Sequence, residues 1–226
     1  MREVLISCCC LFLLSSFVYA GPCKDDFEDG NDNGWRVLSG EWAVQAGAYV
    51  QLKADPNMRI PRTIIQSPWD FKDGTIEVTI SFDKKSDGKE IPAILYRMID
   101  DDNGYVFRLH SDSLEVGRFL NGQFDYIRGD AFPIDINKPC KMKLEIEGIF
   151  TKVYYNGVIK SRIGEPDIRK GFDKGKIGFA VFDANRPVYF DDLVINGQGI
   201  YAFLPMDQKV EPGQKLVSVW GGIKIK

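Results

Sequence analysis

The run Tyr105–His110 holds the first residues whose types and spacing bear on chemistry. Tyr105, Phe107 and Leu109 alternate with Val106, Arg108 and His110. A period of two sends successive side chains to opposite faces of a strand. The spacing therefore predicts one apolar face and one face that presents a guanidinium and an imidazole. Guanidinium forks offer several donors in a fixed geometry, which suits a ligand with paired acceptors or an acidic group. In Ala93–Ile99 the arginine sets the register. An unpaired guanidinium is costly to bury, so Arg97 is expected to point away from the core, with Ile94, Tyr96 and Met98 inward. In Thr75–Phe82 (TIEVTISF), Ile76, Val78, Ile80 and Phe82 alternate with Thr75, Glu77, Thr79 and Ser81. Arg97, Arg108, His110 and Glu77 are thus expected on an outward, ligand-binding face, with Tyr126 as an aromatic platform.

Catalytic arrangements are sparse. Glu145-Ile146-Glu147 places two carboxylates on one face of a strand, about 6.6 Å apart by strand rise. Retaining glycosidases hold theirs at about 5–5.5 Å. Lys141 and Lys143 continue the same alternation, which reads as a solvated charged face. With one histidine in the chain, a zinc site built on several histidines cannot form, and a nucleophilic triad would have no imidazole but His110. Asp29-x-Asn31-x-Asn33-Gly34 matches the first half of an EF-hand loop. Its twelfth position is Gly40 rather than Glu, and no helical pattern flanks it, so it reads as a turn.

The elements that would position these residues are strands. Ala93–Ile99, Tyr105–His110, Leu114–Leu120 and Phe124–Ile127 are rich in β-branched and aromatic residues, and polar turn formers separate them. That is the pattern of an antiparallel meander. Gly40–Gln51 folds at Ala46-Gly47, and Asn156-Gly157 is a strong two-residue hairpin signal between Thr151–Tyr155 and Val158–Arg162. Lys141–Glu147 alternates with Met142, Leu144 and Ile146 inward. Gly175–Asp183 is apolar on both faces, as in a central strand. No segment shows a period of 3.6. The 226 residues carry a formal charge of −3 with both signs interspersed, which gives no electrostatic case for nucleic acid or an anionic membrane.

Residues 1–20 read as a secretory signal peptide. Arg2 precedes the apolar run Val4–Val18, too short to span a bilayer, and Val18 and Ala20 stand at −3 and −1 of a cleavage site before Gly21. The expected location is secreted, either extracellular or periplasmic. Cys8, Cys9 and Cys10 would leave with the leader, and the mature chain would keep Cys23 and Cys140. In an oxidising compartment these form one disulfide or stay as two thiols. Residues 21–198 read as one domain. Residues 199–226 read as a linker and a tail ending in LVSVWGGIKIK, with a partner-binding role, a packed strand and disorder all open.

The order of DDFEDG…GW (Asp25–Trp35), GEWAV…GAYVQ (Gly40–Gln51), GTIEVTISF (Gly74–Phe82), AILYRMIDDDNGYVFRL (Ala93–Leu109), KLEIEG…VYYNG (Lys143–Gly157) and GKIGFAVFDANRPVYFDDLVI (Gly175–Ile195) resembles the concanavalin A-like lectin/glucanase superfamily. Within it, LamG-like and 3-keto-disaccharide hydrolase-type domains are the nearest in pattern. The resemblance implies an all-β jelly-roll sandwich of two antiparallel sheets whose concave face binds sugars. It implies a structural Ca²⁺ where first and last strands meet, which here would fall to Asp26 with Asp191 or Asp192; the other reading is that these residues cap turns. The E-x-D-x-E pattern of laminarinase-like enzymes is missing. A non-catalytic carbohydrate-binding or adhesion module is therefore expected, with a glycan-cleaving enzyme as the alternative.

Overall fold

The alternation of TIEVTISF is the unit from which the fold is built. In the computed structural model, which describes residues 22–54, 60–66, 69–164, 172–198 and 200, Ile76, Val78 and Ile80 are fully buried and their neighbours partly exposed. The strands are, in chain order, β1 (Cys23–Asp25), β2 (Trp35–Ser39), β3 (Glu41–Gln45), β4 (Ala48–Lys53) and β5 (Arg62–Ile65). There follow β6 (Gly74–Phe82), β7 (Ile91–Met98), β8 (Gly104–Leu109), β9 (Ser113–Leu120) and β10 (Gln123–Ala131). The last are β11 (Cys140–Glu147), β12 (Phe150–Tyr155), β13 (Val158–Gly164), β14 (Lys176–Phe182) and β15 (Val188–Gly197). Among the described residues there is no helix, and so none long and apolar enough to cross a membrane. The expected leader, residues 1–20, and the expected tail, residues 199–226 apart from Ile200, lie outside the described residues.

Two antiparallel sheets result. The first runs β13-β12-β11-β6-β15-β4-β3, with β1 also against β15; the second runs β10-β9-β8-β7-β14-β5-β2. The meander β7–β10 is contiguous in the second sheet, and β14 lies inside it between β7 and β5, as its two apolar faces require. Local turn chemistry sets the hairpins. Asn156 and Gly157 take φ of 47° and 78°, and Ala46 and Gly47 take 52° and 73°. These are the left-handed values of a turn whose twist matches that of the strands it joins.

The sheets enclose one main core. Ile76, Val78, Met142 and Leu144 face Ile94, Phe107, Val116 and Phe179 across it. Aromatic rings fill its centre: Phe179 stacks on Phe190 at 4.3 Å, and Trp35 on Phe179 at 5.0 Å. Such pairs add to the stabilisation from buried area.

Arg97 departs from the expected register. It is fully buried, with φ of 51°, and the β14–β7 pairing slips by a residue between Lys176 and Gly178. Ile94 and Tyr96 face the main core as expected, but Met98 joins a second apolar cluster on the other side of the sheet. The bulge turns Arg97 toward the first sheet. There Nε donates to Lys72 O at 2.9 Å, and Nη2 donates to Asp73 Oδ1 at 3.0 Å and to Gly148 O at 2.9 Å. Asp73 Oδ1 also accepts from Gly148 N at 3.0 Å. The cost that was to keep Arg97 outside applies to an unpaired guanidinium, and this one is paired at the seam of the sandwich.

The Cys23–Cys140 disulfide is also corrected, since both cysteines are buried and not joined to each other. β15 and β6 separate β1 from β11. At about 4.8 Å per strand the two are roughly 14 Å apart across the sheet, and disulfides need Cα atoms within about 7 Å. Reductant is accordingly expected to leave the melting temperature unchanged. Cys140, whose thiol burial pushes up to about 12, should resist alkylation until the protein unfolds. A cross-linked peptide pair under non-reducing digestion would contradict both.

Candidate functional site

The outer face of the second sheet carries a surface built from five strands. β8 supplies Arg108, and His110 follows it directly; β9 supplies Glu115 and Phe119; β10 supplies Phe124 and Tyr126. β14 and β5 add Phe182 and Arg62. The face is concave. Phe119 stacks on Phe182 at 6.0 Å although β8 and β7 lie between their strands. The Arg62 guanidinium sits 5.1 Å from the Phe119 ring although three strands lie between theirs. On a flat sheet those strands would be about 14 and 19 Å apart, so the sheet must curve toward its outer face. Ala93, Ala180 and Val106 line the floor beneath these rings, and Gly117 leaves room for the Phe124 ring, which a Cβ there would overlap.

At the centre of this face Arg108 and Glu115 are direct cross-strand partners. Glu115 Oε2 accepts from Arg108 Nη2 and lies 3.0 Å from His110 Nε2. The Arg108 guanidinium lies 3.8 Å from the Phe124 centroid and 4.9 Å from that of Phe182. Ion pair and cation–π contact together hold the fork in one orientation. Its Nε is buried and meets no hydrogen-bond partner among the described residues. Tyr126 is 56% exposed, and its hydroxyl reaches back over Gly129 beside the Glu115 side chain. The bulge between Tyr126 and Arg128 lets Ile127 pack toward the core while Tyr126 stays out.

Three expected site residues thus converge: Arg108, His110 and Tyr126. Arg97 does not, being buried at the seam. Glu77 points outward as read, but from β6 in the other sheet, where it pairs with Lys141 at 3.5 Å. A shared face for Glu77 and Arg108 is therefore corrected. Parity along a strand does not say which sheet the strand joins. Glu145 also lies on the outer face of the first sheet. Its carboxyl is held below the usual range by Lys152 and then by the Tyr154 hydroxyl, which donates to it at 3.0 Å. Glu115, Phe124, Phe182 and Arg62 were missed. Glu115 was within reach, since it lies opposite Arg108 once the turn at Ser111–Ser113 fixes the hairpin. Phe182 and Arg62 arrive from distant strands and left no local signal.

The first and last strands do lie side by side, Asp25 opposite Leu193. Asp191 is raised above the ordinary carboxylate range by burial, eased by a hydrogen bond from Asp192 N and raised again by the charges of Asp192, Glu28 and Asp26. Thr79 Oγ1 donates to Asp192 at 3.3 Å. These are hard oxygen donors of the kind Ca²⁺ takes. Among the described residues, however, no three His, Cys, Asp or Glu side chains are grouped to hold a metal ion. A cation at this seam would take most of its ligands from backbone carbonyls and water.

Fold and face together define a concanavalin A-like β-sandwich with a built concave surface. No protein-family model matches the chain. It is similar to a levanase of Bacillus subtilis (strain 168), 29% identical over 157 residues, which is 68% of this chain and 22% of that protein. The chain thus spans under a quarter of the length of this curated relative. Among solved structures it resembles the carbohydrate-binding module CBM66 from Bacillus subtilis, with TM-score 0.61 and 24% identity over 74% of this chain and 98% of that one. It also resembles the laminarinase catalytic domain from Thermotoga petrophila RKU-1, with TM-score 0.54 and 12% identity over 79% and 99% of the two chains. These likenesses show the fold alone, a concanavalin A-like jelly-roll sandwich.

Proposed function

We propose that the protein is an exported carbohydrate-binding module that holds a neutral glycan on the concave outer face of its second sheet without cleaving it. The observation that carries this reading is the Arg108–Glu115–His110 cluster, stacked on Phe124 and Phe182 beside the exposed Tyr126. The partly exposed guanidinium beside a partly exposed carboxylate offers donor and acceptor to adjacent hydroxyls, and the exposed Tyr126 ring receives the apolar face of a sugar. Glu115, engaged by both Arg108 and His110, suits acceptance from a hydroxyl better than general-acid catalysis. Charge matching on this sheet favours neutral sugars. Arg36 pairs with Asp101, Arg62 with Asp102, Arg108 with Glu115, Arg118 with Asp125 and Arg128 with Asp130. A polyanion would meet a carboxylate beside each of these cations. The likeness to a levanase and to a carbohydrate-binding module supports the reading and makes levan the first ligand to try.

Calorimetric titration of the mature domain with levan and other neutral polysaccharides is expected to show binding that salt hardly weakens and that leaves the polymer uncut. Preference for a polyuronate, or shortened products on prolonged incubation, would overturn the reading.

Export through residues 1–20 and a Ca²⁺ near Asp26, Asp191 and Asp192 belong to the same proposal, and the second has a signed test. In chelator the raised Asp191 pKa means that charge on this group opposes folding. The penalty is absent below its ordinary value of 3.8, where folded and unfolded states are both protonated, and is complete above the folded pKa. Asp191→Asn is thus expected to raise the melting temperature at pH 7 in chelator, the gain vanishing below pH 3.8. With Ca²⁺ present, wild type should gain stability by linkage and Asp191→Asn should lose that gain. An equal Ca²⁺ response in both proteins would place any cation elsewhere.

A further inference from the structure

Past the Arg62–Phe119 contact, the concave face ends in a separate cleft of about 260 Å³. Its floor is apolar: Ile64 from β5, then Met98 and Ile99 at the end of β7. Ile99 is 48% exposed, an open apolar surface facing a polar rim. The rim is Arg36 from β2, Asp101 from the β7–β8 loop and Lys176 from β14. Each rim group is already held. Arg36 and Asp101 meet fork to fork, Nη1 to Oδ2 at 3.0 Å and Nη2 to Oδ1. Arg62 grips the same loop from the other side, donating to Asp101 O at 2.7 Å. Lys176 Nζ donates to Trp69 O at 2.8 Å and pairs with Asp70 at 2.9 Å. The Arg36 guanidinium keeps the Asp101 carboxyl below the usual carboxylate range.

We propose that this cleft is a second sugar subsite, taking one ring of a neutral oligosaccharide long enough to reach the Arg108–Glu115–His110 cluster, since Met98 lies five residues along β7 from Ala93, the partner of Arg108, about 16 Å by strand rise. The inference rests on the carbohydrate-binding reading and extends it to the length of ligand recognised. The volume falls just below the ~300–1,000 Å³ of drug-sized sites, enough for one small ring and too little for a folded chain. The apolar floor suits the C–H face of such a ring. The rim offers donors and acceptors in charge-matched pairs, so hydroxyls can bridge them while an acidic group would face Asp101 at once. Because the rim is fixed before a ligand arrives, little ordering cost falls on binding. Two subsites on one rigid face act on a linked ligand through effective concentration, so affinity should climb with oligosaccharide length.

The test is an amide-shift NMR titration with fructose and with levan oligosaccharides of increasing length. In wild type the longer oligosaccharides are expected to shift Met98, Ile99 and Lys176 together with His110 and Glu115. Arg36→Ala, and independently Ile99→Ser, should erase the first set and lower hexasaccharide affinity by about tenfold, while fructose still shifts His110 and Glu115. Both positions are half-exposed, so the rest of the spectrum should be retained. Affinity that does not rise with length in wild type would overturn the subsite. So would variants that bind the hexasaccharide within about twofold of wild type. Absence of shifts at both clusters with every sugar would overturn the carbohydrate reading itself, and the subsite with it.

Discussion

Arg97→Ala is expected to lower the melting temperature by about 10 °C while the folded variant still binds glycan normally. Asp73 is 43% exposed and can be resolvated, so the cost lies in the orphaned carbonyls and in the cavity, and truncating a large core side chain costs about 2–5 kcal/mol. In a domain of this size each kcal/mol moves the midpoint by about 2–4 °C. Three losses coincide here. Lys72 O and Gly148 O lose their donor, Asp73 loses its cation, and a cavity opens where a fully buried side chain stood. Arg97→Lys keeps the charge but not the fork and should fall between the two. Equilibrium unfolding measures the effect. A variant as stable as wild type would mean that the seam is held elsewhere, and one that is stable yet fails to bind would restore Arg97 to the site.

Arg108→Ala should do the opposite, weakening binding of the proposed glycan ligand by about 10–150-fold. That range follows from about 1.5–3 kcal/mol for hydrogen bonds to a charged group. The Arg108 side chain keeps 15% exposure and packs on Phe124 and Phe182, so a modest stability loss is expected as well. The two effects separate by temperature, since titration well below the midpoint reads binding alone. Arg108→Lys retains the cation without the planar fork and should recover stability more fully than affinity. Unchanged affinity in both variants would remove the cluster from the site.

Much of the architecture was legible along the chain, and the reason is locality. In β6 and β11 each side chain's face follows from its neighbour's, so Ile76, Val78, Ile80, Met142, Leu144 and Ile146 could be placed from the pattern alone. Asn156-Gly157 and Ala46-Gly47 specify their hairpins because a few dihedral angles decide a tight turn. The meander β7–β10 follows from short connections, and with it the convergence of Arg108, His110 and Tyr126.

Tertiary structure decided the remainder. Arg97 meets acceptors 24, 25 and 51 residues away, and the cost of burying it depends wholly on whether those partners arrive. The pattern around it shows only that a charge interrupts an apolar run. Glu77 and Arg108 share a parity but not a sheet. Cys23 and Cys140 share the first sheet with two strands between them. Phe182 and Arg62 reach the concave face only because the second sheet curves enough to bring β14 and β5 toward β9. Alternation and turn residues are properties of adjacent positions, and the sequence determines them outright. Strand order, bulges and curvature emerge from pairings between distant segments, whose energies exist only once the chain has closed on itself.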